Sequence, residues 1–253
     1  QPLTLLASIY ALETLKEMDL NISAFAGFSL GEYSALYASG IFSFEQILRI
    51  IKVRSNLMHE CALENPGKMA AILGLDSKKV EDICQKASSA GTVVLANYNS
   101  PIQSVISGDE RAVSLAIEYA KAEGAKRAIL LNVSGAFHSP LMKNAGDGLV
   151  QYLETIQHQD MDVPLYMNTT AKQLVIQDLY QEMESQIQSS VYFKQMIEHM
   201  INDGITHFIE VGPGKVLSSL IKKIDSNVQV SNLDKLEDMN QLKGWLSEYG
   251  YKE

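Results

Sequence analysis

Cysteine is scarce, with only Cys61 and Cys84 in a chain of 253 residues. Two thiols cannot build a disulfide framework, and neither has the spacing of a metal-ligand set. A reducing cytoplasm is the expected setting, and no metal is expected. Long apolar runs are lacking too, so nothing in the chain reads as a membrane span. The opening stretch, QPLTLLASIYALETLKEM, has no basic start and carries Glu13 and Lys16 inside its apolar pattern. It reads as an amphipathic helix with Pro2 in its first turn, not as a signal peptide. Basic charge is also in deficit: 21 Lys and Arg stand against 30 Asp and Glu, a net charge of −9. That balance argues against nucleic acid as a partner, and it advertises no acidic partner either. Repeats and low-complexity segments are absent.

What is present is ordinary for a globular chain: 46% hydrophobic and 20% charged residues. The length suits one large domain, or a large domain carrying a small one. Residues 24–40, AFAGFSLGEYSALYASG, begin as a short strand, turn at Gly27 and continue as a helix closed by Gly40. Residues 43–63 follow as a helix. The stretch 68–133 then reads as strand 69–75, helix 77–87, strands 92–99 and 103–108 about Ser100-Pro101, helix 109–124 and strand 125–133. That β-α-β-β-α-β order is the ferredoxin-like split arrangement, expected as a small insert spanning 63–133. The outer parts, 1–62 and 134–253, alternate helix and strand as a parallel α/β sheet would. They supply a helix at 139–156, a strand at 163–168, helices around 174–202, strand 206–212, helix 215–224 and strand 228–233.

The sharpest motif is Gly27-Phe28-Ser29-Leu30-Gly31, a G-x-S-x-G at a strand-to-helix turn. In such an elbow the serine oxygen is exposed, and flanking glycines avoid Cβ collisions in the tight bend. The Leu30 N–H, at the new helix's N-terminus, can face a developing oxyanion. On the pentad alone, a serine that merely caps a helix competes evenly with this reading. A nucleophilic serine needs a base, and five histidines are present. His59, His199 and His207 lie within regular segments, and His158 sits in the polar stretch QHQD. His138, in SGAFHSPLM, follows a strand and precedes a helix, where catalytic groups are displayed. By position alone, a histidine that packs and hydrogen-bonds locally is the commoner case there.

GFSLGEYSALYASG, KVRSNLM, ANYNSP, GAFHSPLM and IEVGPGKVL follow one another with an order and spacing that resemble malonyl-CoA:acyl-carrier-protein transacylases. The acyltransferase domains of fatty-acid and polyketide synthases are similar. The resemblance runs from Pro2 to about Leu233. It implies a hydrolase-like parallel-sheet α/β core, made of 1–62 and 134–253, around the ferredoxin-like insert. It also implies that Ser29 carries the acyl group, that His138 is general base and acid, and that Arg54 grips the free carboxylate of malonate. A guanidinium can make two parallel hydrogen bonds to a carboxylate, and lysine cannot. Gln186 matches a glutamine that accepts a hydrogen bond from the histidine, although Ser190 replaces the family's nearby proline. Phe137 matches the malonyl-selective form, in which an aromatic ring crowds an α-methyl branch. No aspartate is required, which makes a dyad.

The implied reaction is ping-pong transfer from malonyl-CoA to the pantetheine thiol of acyl carrier protein, with no cofactor, by a monomer. Phe28 replaces a common histidine, with tolerance expected, and Ile102 replaces a glycine after NSP. The family's N-terminal strand and its glycine- and glutamine-rich loop have no counterpart in the sequence. The expectation is an excerpt of a chain about 60 residues longer, within the usual domain range, or a nearly inactive fragment. Two other readings stand beside the transferase. A serine esterase would need an acid, for which Asp76, Asp82 and Asp109 are available. A carrier-protein docking fragment would need no chemistry at all. Since carrier proteins are usually acidic, docking calls for a local basic face, either Lys126-Arg127 or Lys222-Lys223.

Overall fold

The structure is a computed structural model and describes residues 1–18 and 20–250. Helix α1 (Pro2–Lys16) opens the chain, with proline in its first turn, where no backbone N–H is needed. A two-residue strand, β1 (Phe25–Ala26), leads through the serine turn into α2 (Gly31–Ala38). The long helix α3 (Phe44–Glu64) starts at a capping box, in which Ser43 and Gln46 satisfy each other's backbone N–H groups. Its inner face carries Ile47, Ile50, Ile51 and Met58, all buried, which stabilises the packing by about 2 kcal/mol per side chain.

Residues 68–130 form a four-stranded antiparallel sheet in the order β3-β4-β2-β5. The strands are β2 (Lys68–Leu73), β3 (Val93–Ser100), β4 (Gln103–Gly108) and β5 (Arg127–Leu130). Helices α4 (Ser77–Ala87) and α5 (Glu110–Ala122) cover one face with a core of their own, which includes Ile72, Val80, Ile83, Leu95 and Ile106. The other face packs Met69, Ala96 and Val105 against Leu131, Val133 and Phe137. This alternation along each strand separates the sheet's private core from the face turned to the rest of the molecule.

The chain returns through a short 3₁₀ turn at Pro140–Met142 into α6 (Lys143–Leu153), then β6 (Leu165–Tyr166), α7 (Leu179–Gln188) and α8 (Phe193–Asn202). Strand β7 (His207–Val211), α9 (Val216–Ile224), β8 (Gln229–Leu233) and α10 (Asp238–Glu248) complete it. The outer strands are parallel, as expected, but they form two separate pairs: β1 with β6, and β7 with β8. The reason is distance. Strands β1 and β7 both line an apolar cavity of about 360 Å³, together with Leu12, Phe193 and Ile197, and so do not reach each other. Helix α10 lies beyond the last expected element. It seats Leu242 and Leu246 against Leu15 and Leu233. Among the described residues no helix is long and apolar enough to cross a membrane.

Candidate active site

The elbow begins where β1 runs out. A Cβ at Gly27 would stand 2.1 Å from the Glu32 nitrogen and from the Gly31 carbonyl carbon, so only glycine fits there. Gly31 departs from the expectation, because a Cβ there would meet nothing within 4 Å. The turn needs one glycine for steric reasons, not two. Ser29 itself is left-handed, with φ 51°, a region that non-glycine residues enter at a cost. The next residue, Leu30, has helical φ and heads α2. Among the described residues its N–H finds no acceptor, whereas the Gly31, Glu32 and Tyr33 N–H groups bond back to Phe28, Ser29 and Leu30. A free N–H on the residue that follows the serine, at a helix N-terminus, suits a developing negative charge.

His138 meets Ser29 across 109 residues of sequence. Its Nε2 lies 2.7 Å from Ser29 Oγ, and its Nδ1 lies 2.9 Å from the backbone carbonyl oxygen of Gln186. Since a carbonyl can only accept, Nδ1 carries the hydrogen and Nε2 is free to accept the serine proton. The histidine is also left-handed, with φ 57°, and its N–H donates to the Ile187 carbonyl at 3.2 Å. It is only 4% exposed. Burial, and secondly the positive charge of Arg54, push its pKa down to about 4, so the ring is neutral at ordinary pH.

Arg54, on α3, is 1% exposed. Its Nη2 donates to Gln186 Oε1 at 3.2 Å and its Nη1 to Gln1 Oε1 at 2.5 Å, both neutral amide oxygens. The guanidinium lies over the Tyr33 ring, 4.8 Å from its centre, and its Nε has no partner among the described residues. A buried cation whose hydrogen-bond partners are neutral is costly to fold around, and it is a ready receptor for a carboxylate. Gln186 is the common neighbour: its Nε2 donates to the Ser29 carbonyl at 2.6 Å, its Oε1 accepts from Arg54 and its backbone carbonyl holds His138. The residue was expected to accept from the histidine, and it does so through its main chain. Ser190, in place of a proline, donates to the Leu95 carbonyl at 2.7 Å and so ties this loop to β3.

Phe137, partly buried, packs against both Met69-Ala96-Val105 and the α3 core. Phe28 turns away from the serine and meets Phe193 edge-on, with ring centres 5.3 Å apart, in the apolar cluster around α8. Ile102 is exposed at the β3–β4 turn. The acids an esterase would require are spent elsewhere: Asp76 caps α4, Asp82 pairs with Lys78, and Asp109 accepts the Thr92 N–H. His158, His199 and His207 bond to backbone or side-chain groups of their own surroundings. Of the two basic faces, the structure joins parts of both: Lys126, Arg127 and Lys223 line one recess of about 190 Å³. Lys222 does not belong to it, since its Nζ donates to the Val228 carbonyl.

Two residues escaped the sequence reading. Asn168, fully buried just after β6, accepts the Ser29 N–H at 2.7 Å through Oδ1 and donates to the Gly27 carbonyl at 2.7 Å through Nδ2. Glu32, 1% exposed, accepts the Asn168 N–H at 2.6 Å. Burial raises the Glu32 carboxyl to about 8, so it is mainly protonated at pH 7. In sequence, Asn168 looks like a strand-end asparagine and Glu32 like a solvated acid in a helix's first turn.

Comparison with known proteins shows the family to which the chain belongs. The acyl transferase domain family matches residues 1–239. The malonyl CoA-acyl carrier protein transacylase of Bacillus subtilis is 43% identical over 231 residues, 90% of this chain and 73% of that protein. The crystal structure of malonyl CoA-acyl carrier protein transacylase from Clostridium perfringens superposes with a TM-score of 0.94 at 35% identity, over 98% of this chain and 78% of that one. A malonyl-transacylase solved in complex with its type II PKS acyl-carrier protein gives 0.90 at 33% identity, over 96% and 80%. Sequence and backbone agree along nearly the whole length, and the chain belongs to the acyl transferase family, among the malonyl CoA-acyl carrier protein transacylases.

Proposed function

We propose that this protein moves a malonyl group from malonyl-CoA to the pantetheine thiol of acyl carrier protein through an ester on Ser29. The observation that carries the reading is the buried, carboxylate-free Arg54, linked through Gln186 to a serine–histidine dyad. Ser29 Oγ bonds to the thioester carbon as its proton passes to His138 Nε2. The carbonyl oxygen, now negative, faces the Leu30 N–H. Collapse breaks the carbon–sulfur bond, and the CoA sulfur leaves with the proton from His138. The pantetheine thiol then gives its proton to His138 and attacks the ester, and Ser29 recovers the proton as it departs. Arg54 holds the malonyl carboxylate throughout, and Phe137 crowds an α-methyl branch. Gln186 keeps His138 in the accepting tautomer, as the acid of a triad would.

In this reading residues 1–62 and 134–253 are a hydrolase-like catalytic core, and 63–133 are a ferredoxin-like insert whose inner face, with Phe137, walls the cleft. The strand order β3-β4-β2-β5 supports that name for the insert. Lys126, Arg127 and Lys223 are the face that meets the acidic carrier. The chain acts as a cytoplasmic monomer without metal or cofactor.

Intact mass after mixing with malonyl-CoA tests the core of this. One malonyl group should be gained by the wild type and none by Ser29→Ala; labelling that survives the substitution sinks the assignment. Arg54→Ala should lower malonyl transfer by about 2–5 kcal/mol in transition-state free energy while acetyl transfer stays level or rises. Equal loss of both would make Arg54 structural. Release of free malonate in preference to transfer would favour the esterase.

A further inference from the structure

Strand β1 pairs with β6 through only two positions, Phe25 with Leu165 and Ala26 with Tyr166, before turning away at Gly27. At the elbow a buried main chain has lost its ladder, and the Gly27 carbonyl and Ser29 N–H would be left without partners. One side chain satisfies both. The Asn168 amide presents a C=O and an N–H side by side, as a peptide unit does, and receives Ser29 while donating to Gly27. Its own backbone is pinned in turn, the N–H by Glu32 Oε2 and the carbonyl by the Tyr192 N–H at 2.9 Å.

We infer that Asn168 is a positioning residue of the transfer reaction: its amide takes the place of a peptide unit beside β1 and holds Ser29 left-handed, with Glu32 fixing Asn168 from α2. The inference rests on the reading that Ser29 is the nucleophile. It assigns Asn168 no contact with substrate. Its effect runs through the Ser29 φ angle, which sets both the Oγ–His138 distance and the aim of the Leu30 N–H. Alanine at 168 would leave two buried backbone groups unpaired and release the turn. Aspartate is isosteric, but as a carboxylate it cannot donate to the Gly27 carbonyl; protonated, it can. The charged or titratable groups around it are Glu32 on α2, Glu182 on α7, Arg54 on α3 and His138. All are shared with the wild type, but a second carboxyl beside Glu32 couples to it, so the same ratio is also read between Glu32→Gln and Glu32→Gln/Asn168→Asp, where position 32 cannot titrate.

The experiment measures phosphonylation of Ser29 by a fluorophosphonate probe, which needs no thioester, beside malonyl transfer and thermal stability. Tyr166→Phe serves as the control, since it removes two nearby hydrogen bonds outside the elbow, one to Asp203 and one from Gln173. Asn168→Ala should slow both reactions about 10- to 100-fold, the scale of a displaced catalytic group, with KM for malonyl-CoA near the wild-type value. Tyr166→Phe should react at the wild-type rate. Asn168→Asp should be slow near pH 9, and its rate relative to wild type should climb as pH falls to about 6, where a buried carboxyl regains its proton. A flat ratio, or wild-type phosphonylation in Asn168→Ala, overturns the inference. Probe labelling of the wild type without malonylation would overturn the substrate assignment alone and leave the positioning test standing.

Discussion

The left-handed turn at Ser29 has a conformational cost that can be measured. A left-handed residue with a side chain sits about 1–2 kcal/mol above glycine in the same turn. Ser29→Gly should therefore be more stable than Ser29→Ala by about 1 kcal/mol in chemical denaturation, although neither can form the ester. Equal stabilities would mean that the strain is absorbed elsewhere. His138 and Glu32, both buried, push stability in opposite directions with pH. The histidine pKa falls from 6.5 unfolded to about 4 folded, so the unfolded chain binds more protons between those values. That contribution is complete above 6.5 and is lost as pH falls toward 4. The Glu32 pKa rises from 4.5 to about 8, so the folded chain binds more protons. Its contribution is complete below 4.5 and is lost as pH rises through 8. Glu32→Gln keeps the acceptor for Asn168 and has nothing to ionise, so its stability should hold between about pH 6.5 and 8 while the wild type declines. Parallel curves would show that Glu32 is ionised in the fold.

At the scale of elements, the two glycines of the pentad make opposite demands. Gly27→Ala drives a methyl group into main chain at 2.1 Å and should cost about 3 kcal/mol or more, with loss of Ser29 reactivity. Gly31→Ala meets open space at the first turn of α2 and should match or exceed wild-type stability, by up to about 1 kcal/mol. A differential scan of the two proteins decides it. Most elements were legible in sequence because the signals that make them are local. Asp76 and Ser43 cap α4 and α3, and Gly40 closes the turn after α2 with φ 85°. Helix α10 was not legible, because Gly244 interrupts a weak apolar pattern and its seat on Leu15 and Leu233 is tertiary. The division of the parallel strands into two pairs was hidden for a similar reason: periodicity reports which way a strand faces, not which strand it reaches. The elbow and His138 were readable from a turn motif and a loop histidine. Asn168 and Glu32 were not, since a residue that acts by bonding to the main chain leaves no pattern beyond itself.

Across the whole molecule, charge is uneven in a useful way. The surplus is acidic, yet Lys126, just before β5, Arg127 at its start and Lys223 on α9 converge on one recess. Reversing Arg127 to Glu should weaken transfer to holo acyl carrier protein, and raised salt should shrink the difference, while malonylation of Ser29 by malonyl-CoA continues. Unchanged transfer would place the docking face elsewhere. The site is assembled on the same global scale. Ser29, Arg54 and His138 come from three distant stretches, and each is tied to a fourth, Gln186 at the end of α7. In the proposed reaction a single mount carries nucleophile, receptor and base, so any drift of α7 is common to all three, and the separations that chemistry depends on are the quantities least disturbed. Errors made together cancel. A double-mutant cycle on malonyl transfer would expose such correlation: Gln186→Ala and Arg54→Ala combined should cost less than the sum of the two singly, by about 1 kcal/mol or more. Strict additivity would mean that Ser29 and Arg54, the two groups bonded by the Gln186 side chain, are held independently, and that the shared residue is only a neighbour.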